Sequence, residues 1–189
     1  TARSMSSAVQ VRQPVQTSSV LASRTVTVIP LQWSGATWKT SDRTIANTIV
    51  GKLTPWWRAQ SANQEALSVR FTSVLDVSSV NGPGQCDFYA MSDVAVAFAK
   101  EKGLYDTSNH LMMTFTGENQ DCNFGGLGEV GGKLTWTYTS PNYEGIWAHE
   151  LGHNLGLPHA NACNAGVAMT YLKACEEVEY GDVTSTMGM

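Results

Sequence analysis

Charge is scarce in this chain: Asp, Glu, Lys and Arg together supply 15% of 189 residues. No basic run or stripe stands out, and the formal net charge is -4 with a pI near 5.5. A nucleic-acid backbone or an anionic membrane surface is therefore excluded as a partner. Long hydrophobic runs are missing too. Nothing approaches the roughly 20 apolar residues that a membrane-spanning helix needs. Thr1 to Gln10 lacks the basic and hydrophobic zones of a signal peptide, so an exported form is expected to have lost its signal already. Cysteine is limited to Cys86, Cys122, Cys163 and Cys175, with no CxxC spacing, which argues against a redox pair or a cysteine zinc site. No GxSxG elbow offers a serine nucleophile.

The length fits one domain able to bury its own core, and 42% apolar residues is a globular composition. Four cysteines read as two disulfides, for which three pairings exist. Cys163 with Cys175 is preferred because they bracket one short segment, leaving Cys86 with Cys122. Disulfides imply an oxidising compartment and hence a secreted, periplasmic or cell-surface location.

Residues 1–24 are polar and rich in Ser, Thr and Gln. They read as an arm or the remnant of a pro-segment, with an edge strand through Val9 to Val15 as the alternative. The β-branched run Thr25 to Trp33 reads as the first core strand, with Pro30 near its end or at an irregularity. Ser41 and Asp42 open a helical pattern in which Ile45, Ile49, Leu53 and Trp57 recur every four residues, and Pro55 should kink or end it. Ala66 to Val77 reads as a second strand. Phe88, Met91, Ala95 and Phe98 mark a second helix that stops at Gly103. Strands over Leu111 to Thr116 and Lys133 to Thr139 flank a glycine-rich stretch, Phe124 to Gly132, before a long helix started by Ser140 and Pro141. No internal repeat is visible. The order β, α, β, α, β, β, α predicts an α/β (α+β) domain over residues 25–189, a twisted mixed sheet with two packing helices plus a third helix and a short irregular C-terminal part.

That third helix carries His149-Glu150-Leu151-Gly152-His153, and residues four apart lie one turn above each other, so both imidazoles leave one face. A single cation can meet both. Asn154-Leu155-Gly156-Leu157-Pro158-His159 completes HExxHxxGxxH. A helix continued past His153 would carry position 159 away, so the chain must bend, and Gly156 supplies the left-handed backbone for it. Three neutral imidazoles leave a fourth position for water, the arrangement of a catalytic rather than a structural zinc. Glu150 stands beside that water as a general base.

HExxH alone is a weak signal, because a helix face bearing His, Glu and His can be a solvated one. The added glycine and third histidine make it specific. With HELGHNLGLPHA (His149 to Ala160) and EYGDVTSTMG (Glu179 to Gly188), the sequence resembles the metzincin zinc peptidases, and among them the gametolysin family, secreted or periplasmic enzymes that lyse algal glycoprotein walls and have bacterial relatives. The resemblance spans residues 25 to 188 and is sharp in the last third. It implies Zn2+ on His149, His153 and His159, Glu150 as base, and Met187 as the methionine of a turn lying beneath the ligands. Met169 and Met189 are weaker candidates for that methionine. It further implies an edge strand, Gly126, Leu127, Gly128, Glu129 and Val130, along which an extended peptide lies. The implied function is a zinc endopeptidase, acting as a monomer on extracellular or cell-wall proteins.

Two departures from the metzincin pattern stand out. Metzincins usually continue into a C-terminal helix, whereas this sequence stops at Met189, and Met189 occupies the place where some of them carry a tyrosine ligand. Tyr180 could substitute, though a packed turn tyrosine is the expectation. No cysteine precedes Cys86 to act as a cysteine switch.

Other features read more plainly. Gly126 to Gly131 spells GxGxxG, but a strand follows where a dinucleotide fold needs a helix. His110 is expected in a loop or on the surface. Glu118, Asn119 and Asp121 read as a solvated turn rather than a calcium site. Glu176, Glu177, Glu179 and Asp182 would favour basic side chains just after the scissile bond, against the simpler reading of an acidic loop. Rival functions are a non-cleaving adhesin-like module and a zinc hydrolase of other amides.

Overall fold

The computed structural model describes residues 22–106, 108–117, 121–164 and 176–188. The N-terminal arm, Glu118, Asn119, Met169, Cys175 and Met189 lie outside them. Within the described residues a mixed sheet is built from β1 (Ala22–Gln32), β2 (Glu65–Phe71), β3 (Leu75–Asp76), β4 (Asn109–Thr116), β5 (Gly126–Gly128) and β6 (Leu134–Thr139). Strand order is β2-β1-β4-β6-β5, with β3 continuing beside β1 past the end of β2. β1, β2, β4 and β6 run parallel; within this sheet β5 alone is antiparallel, and among the described residues it pairs only with β6. The expected α/β class is the observed one.

Alternation along the central strands sorts the core. Ile29, Leu31, Leu111, Met113, Phe115, Trp136 and Tyr138 face one side, under α2 (Phe88–Glu101). Val26, Val28 and Met112 face the other, under α1 (Thr40–Gln60) and α3 (Glu144–Asn154). With helices on both faces the sheet interior is dry, so the threonines of β6 that alternate with Trp136 and Tyr138 are buried as well. Thr114 and Thr139 satisfy each other through their hydroxyls at 2.7 Å.

Several local expectations are corrected. Ala22 to Arg24, expected in the arm, belong to β1. The single strand over 66–77 is two: β2 pairs β1 up to Val28 and β3 resumes at Leu31, so the break falls opposite Pro30, which has no N–H to give. Pro55 does not end α1. Gly51 and Pro55 together cost a helix interior about 4 kcal/mol, but burying Ile49, Leu53 and Trp57 returns about 1.5–3 kcal/mol each, and the helix runs on to Gln60. Ser140 and Pro141 do not begin α3, which starts at Glu144 after a turn. Residues 126–130 hold only three strand residues; Glu129 and Val130 are in the turn to β6, where the Glu129 carboxylate accepts the N–H groups of Lys133 and Leu134.

Cys86 and Cys122 form a disulfide with Cα atoms 5.0 Å apart. Cys163 is disulfide-bonded also. No described helix is long and apolar enough to cross a membrane.

His110 is buried, at 1% exposure, rather than on the surface. Its Nδ1 lies 3.4 Å from Asn154 Oδ1, and its Nε2 has no partner. Burial, then the nearby Lys133 charge, pushes its pKa down to about 4. Below the unfolded value of 6.5 the unfolded chain therefore takes up a proton that the native one refuses, and stability falls as pH drops from about 6.5 to 4. Between pH 7.5 and 4.5 this amounts to about 2–3 kcal/mol. Urea unfolding of His110→Gln should show a shallower pH dependence by that amount; an unchanged slope contradicts the assignment.

Candidate active site

α3 is buried along Trp147 to Asn154. Trp147 anchors it by donating from Nε1 to the Tyr138 carbonyl at 2.9 Å, while Ala148 and Leu151 pack toward α1. Two neighbours approach its backbone so closely that only glycine fits. A Cβ on Gly126 would sit 2.5 Å from Glu150 Oε1, one on Gly128 would overlap the Glu150 carbonyl, and one on Gly152 would overlap Met187 Sδ. Glu150 is thus backed by strand β5, and Met187 lies against the helix between the two histidine turns.

The helix ends at Leu155. Gly156 takes φ +92, its N–H bonds the His153 carbonyl at 2.8 Å and Leu157 N–H bonds the Gly152 carbonyl at 3.0 Å, the paired bonds of a Schellman motif. A Cβ at Gly156 would meet nothing, so glycine is required there by backbone angle and not by space. The turn brings His159 back to the helix face. Ring centroids of His149, His153 and His159 lie 4.7, 5.4 and 4.9 Å apart, and the group offers three ligand nitrogens within 4.8 Å of one another.

Whether these rings suit a cation is decided by their other nitrogens. His149 Nδ1 lies 2.9 Å from the Thr186 carbonyl, His153 Nδ1 2.8 Å from the Leu157 carbonyl and His159 Nδ1 2.7 Å from Glu179 Oε1. An oxygen acceptor at each Nδ1 fixes its proton there and turns a lone pair on Nε2 inward, the outer-shell pattern of metal-binding histidines. Burial lowers the pKa values of His149 and His153, keeping both rings neutral. The donor set therefore fits a metal ion. Glu150, at 7% exposure, has its pKa pushed up to about 7 by burial.

A cleft of about 540 Å³ runs past Gly125, Gly126, Ile146, His149 and Glu150 to Tyr180. Its upper rim is the outer edge of β5, where Leu127 is 37% exposed. Tyr180 is not packed away in a turn: half-exposed and with φ +57, it donates its hydroxyl to His159 Nε2 at 2.7 Å and lines the cleft. A short antiparallel pair, β7 (Ala162–Asn164) with β8 (Glu176–Val178), follows His159. The His159 loop is then tied to the turn Thr186–Gly188 by Ala160 N–H bonding the Met187 carbonyl at 2.8 Å.

The sequence matches the Peptidase M66 family over residues 72–179, more than half of the chain and inclusive of all three histidines and Glu150. The chain belongs to the Peptidase M66 family. No curated protein matches it. Among solved structures, metalloproteinase-II from Bacteroides fragilis is similar at 14% identity with a TM-score of 0.47, over 75% of this chain and 45% of that one. The M66 chain thus spans less than half the length of that structure.

Four contributors were not read from the sequence. Glu179 was counted with an acidic cluster, yet its carboxylate holds His159; Asp182 of the same cluster caps Thr184, with its Oδ1 2.6 Å from that hydroxyl. Asn154 follows the second histidine and donates both amide hydrogens, to the Glu129 carbonyl at 3.0 Å and the Leu134 carbonyl at 2.9 Å, bolting the β5–β6 turn to α3. Its place directly after the second histidine of the motif was the available signal. The backbone carbonyls of Leu157 and Thr186 carry no residue-type signal.

Glu179→Gln keeps the shape of the His159 partner and removes its charge. It should weaken metal binding by about 10–100-fold, read by competition with a chromogenic chelator; wild-type affinity would contradict the role.

Proposed function

We propose that this M66 chain is a zinc endopeptidase in which His149, His153 and His159 hold the ion and Glu150 is the general base. The observation that carries the reading is the convergence of three imidazoles, each with a ligand nitrogen within 4.8 Å of the others, beside one buried carboxylate on an open cleft, with the Tyr180 hydroxyl holding the place at His159 Nε2 that an ion would take. Three nitrogen ligands favour zinc and leave a position for water. When bound, the ion supplies Lewis acidity toward that water and the scissile carbonyl.

The chain's own residues do the rest. The free edge of β5 offers backbone groups to an extended peptide, which would add as a further strand. Gly126, with no side chain, lets β5 lie directly against Glu150, so a peptide on that edge runs beside the carboxylate. Glu150, buried in the cleft beside His149 and His153, accepts the proton of the attacking water and returns it to the leaving amine. Met187 and Gly152 hold the floor, and the hydrogen bonds at each Nδ1 keep the rings aimed without adjustment during reaction. The bonded cysteines support action outside the cytosol, on extracellular or cell-wall proteins in the gametolysin manner. A non-cleaving scaffold would have no use for a buried carboxylate opening on a cleft.

Casein digestion tests the reading. Glu150→Gln should lower kcat by at least about 10³-fold with little change in zinc content, in keeping with loss of a general base; undiminished cleavage by that variant removes the proposed role.

A further inference from the structure

We propose that a second cavity beside the cleft is a subsite for a large apolar, preferably aromatic, side chain of the polypeptide substrate. This rests on the peptidase reading above. The cavity measures about 620 Å³ and lies between α1 and the first turn of α3, lined among the described residues by Gly51, Lys52, Pro55, Trp56, Glu144 and Gly145 with Leu53 behind.

The composition of α1 there is costly and the fold does not require it. Glycine and proline are the two poorest residues for a helix interior, and α1 carries them four apart, at 51 and 55. Gly126, Gly128 and Gly152 are glycine because neighbouring atoms occupy the Cβ position, whereas a Cβ on Gly51 would meet nothing within 4 Å. What the pair does is leave space. Position 51 puts no side chain into the cavity, and Pro55 has no N–H to give the Gly51 carbonyl. Trp56 stands on the wall 42% exposed, while Leu53 and Trp57 on either side of it are buried.

The cavity adjoins the cleft at Gly145, which lines both and has no side chain. Gly145 precedes His149 by four residues, roughly 6 Å along a helix axis. An extended peptide advances about 3.3 Å per residue, which puts the cavity at least about two residues from the scissile bond. Its chemistry selects the occupant. Lys52 and Glu144 form an ion pair across the rim that links α1 to α3, so neither charge is left to recruit an opposite one. The remaining walls are aliphatic and indole surface, which suits an aromatic ring packed against Trp56.

Binding tests this without catalysis. N-acetyl-L-phenylalaninamide titrated into the full chain should shift the indole N–H resonance of Trp56, identified through Trp56→Phe, and saturate in the millimolar range; N-acetyl-L-aspartamide should not. Gly51→Leu fills the open space and improves helix propensity, so it should keep the wild-type Tm or exceed it while weakening binding at least 10-fold. In a peptide series, Phe placed at least about two residues from the cleaved bond should raise kcat/KM about 5-fold or more over Ala, and Gly51→Leu should abolish that preference. An unshifted Trp56 resonance, or a preference that survives Gly51→Leu, overturns the proposal. A chain that binds the amide at Trp56 but cleaves nothing would sustain the pocket and overturn the peptidase reading.

Discussion

The contact on which the site depends is that of α3 with its neighbours at backbone range. Gly126, Gly128 and Gly152 stand where Glu150, the α3 backbone and Met187 Sδ fill the space of a side chain. Interiors at native density leave no slack for an extra methyl group at such places. Because β5 and the Met187 turn touch the same helix on different sides, the proposed base, the two helical histidines and the edge proposed to bind peptide are held as one body. Asn154 completes this by joining the turn after β5 to the last residue of α3.

The third histidine is held differently. His149 and His153 are set by helical spacing, but His159 arrives by a loop, and a loop position needs external support. Gly156 gives the direction, Ala160 is tied to Met187, and Glu179 and Tyr180 grip the ring from beyond β8. Tyr180 reaches the same ring as its neighbour because its positive φ turns the backbone; in a regular strand consecutive side chains would point to opposite faces. The stretch that reads as a plain acidic loop is therefore part of the histidine's support.

What the sequence made legible follows from how local the cause is. The pairing of His149 with His153 and the bend at Gly156 depend on helix period and glycine conformation, and both could be read at sight. The β-branched run from Thr25 was legible as a core strand in the same way, while the division of Ile29 and Leu31 from Val26 and Val28 came with the structure. Pro55 misled because local propensity opposed tertiary burial, and the burial of Leu53 and Trp57 outweighed it. Ser140 and Pro141 misled because they carry helix-start chemistry yet lie in the turn before α3. His110, Glu179 and Asn154 depend on partners 20 to 44 residues away, at Asn154, His159, Glu129 and Leu134, which no window along the chain reveals.

The most direct measurement of the proposed metal centre is X-ray absorption at the zinc edge on protein loaded with one equivalent of the metal. Three imidazole nitrogens at about 2.0–2.1 Å with at least one oxygen completing the shell is the expected result. A shell with fewer than three imidazoles, or one closed by four protein ligands with no oxygen from water, would contradict it.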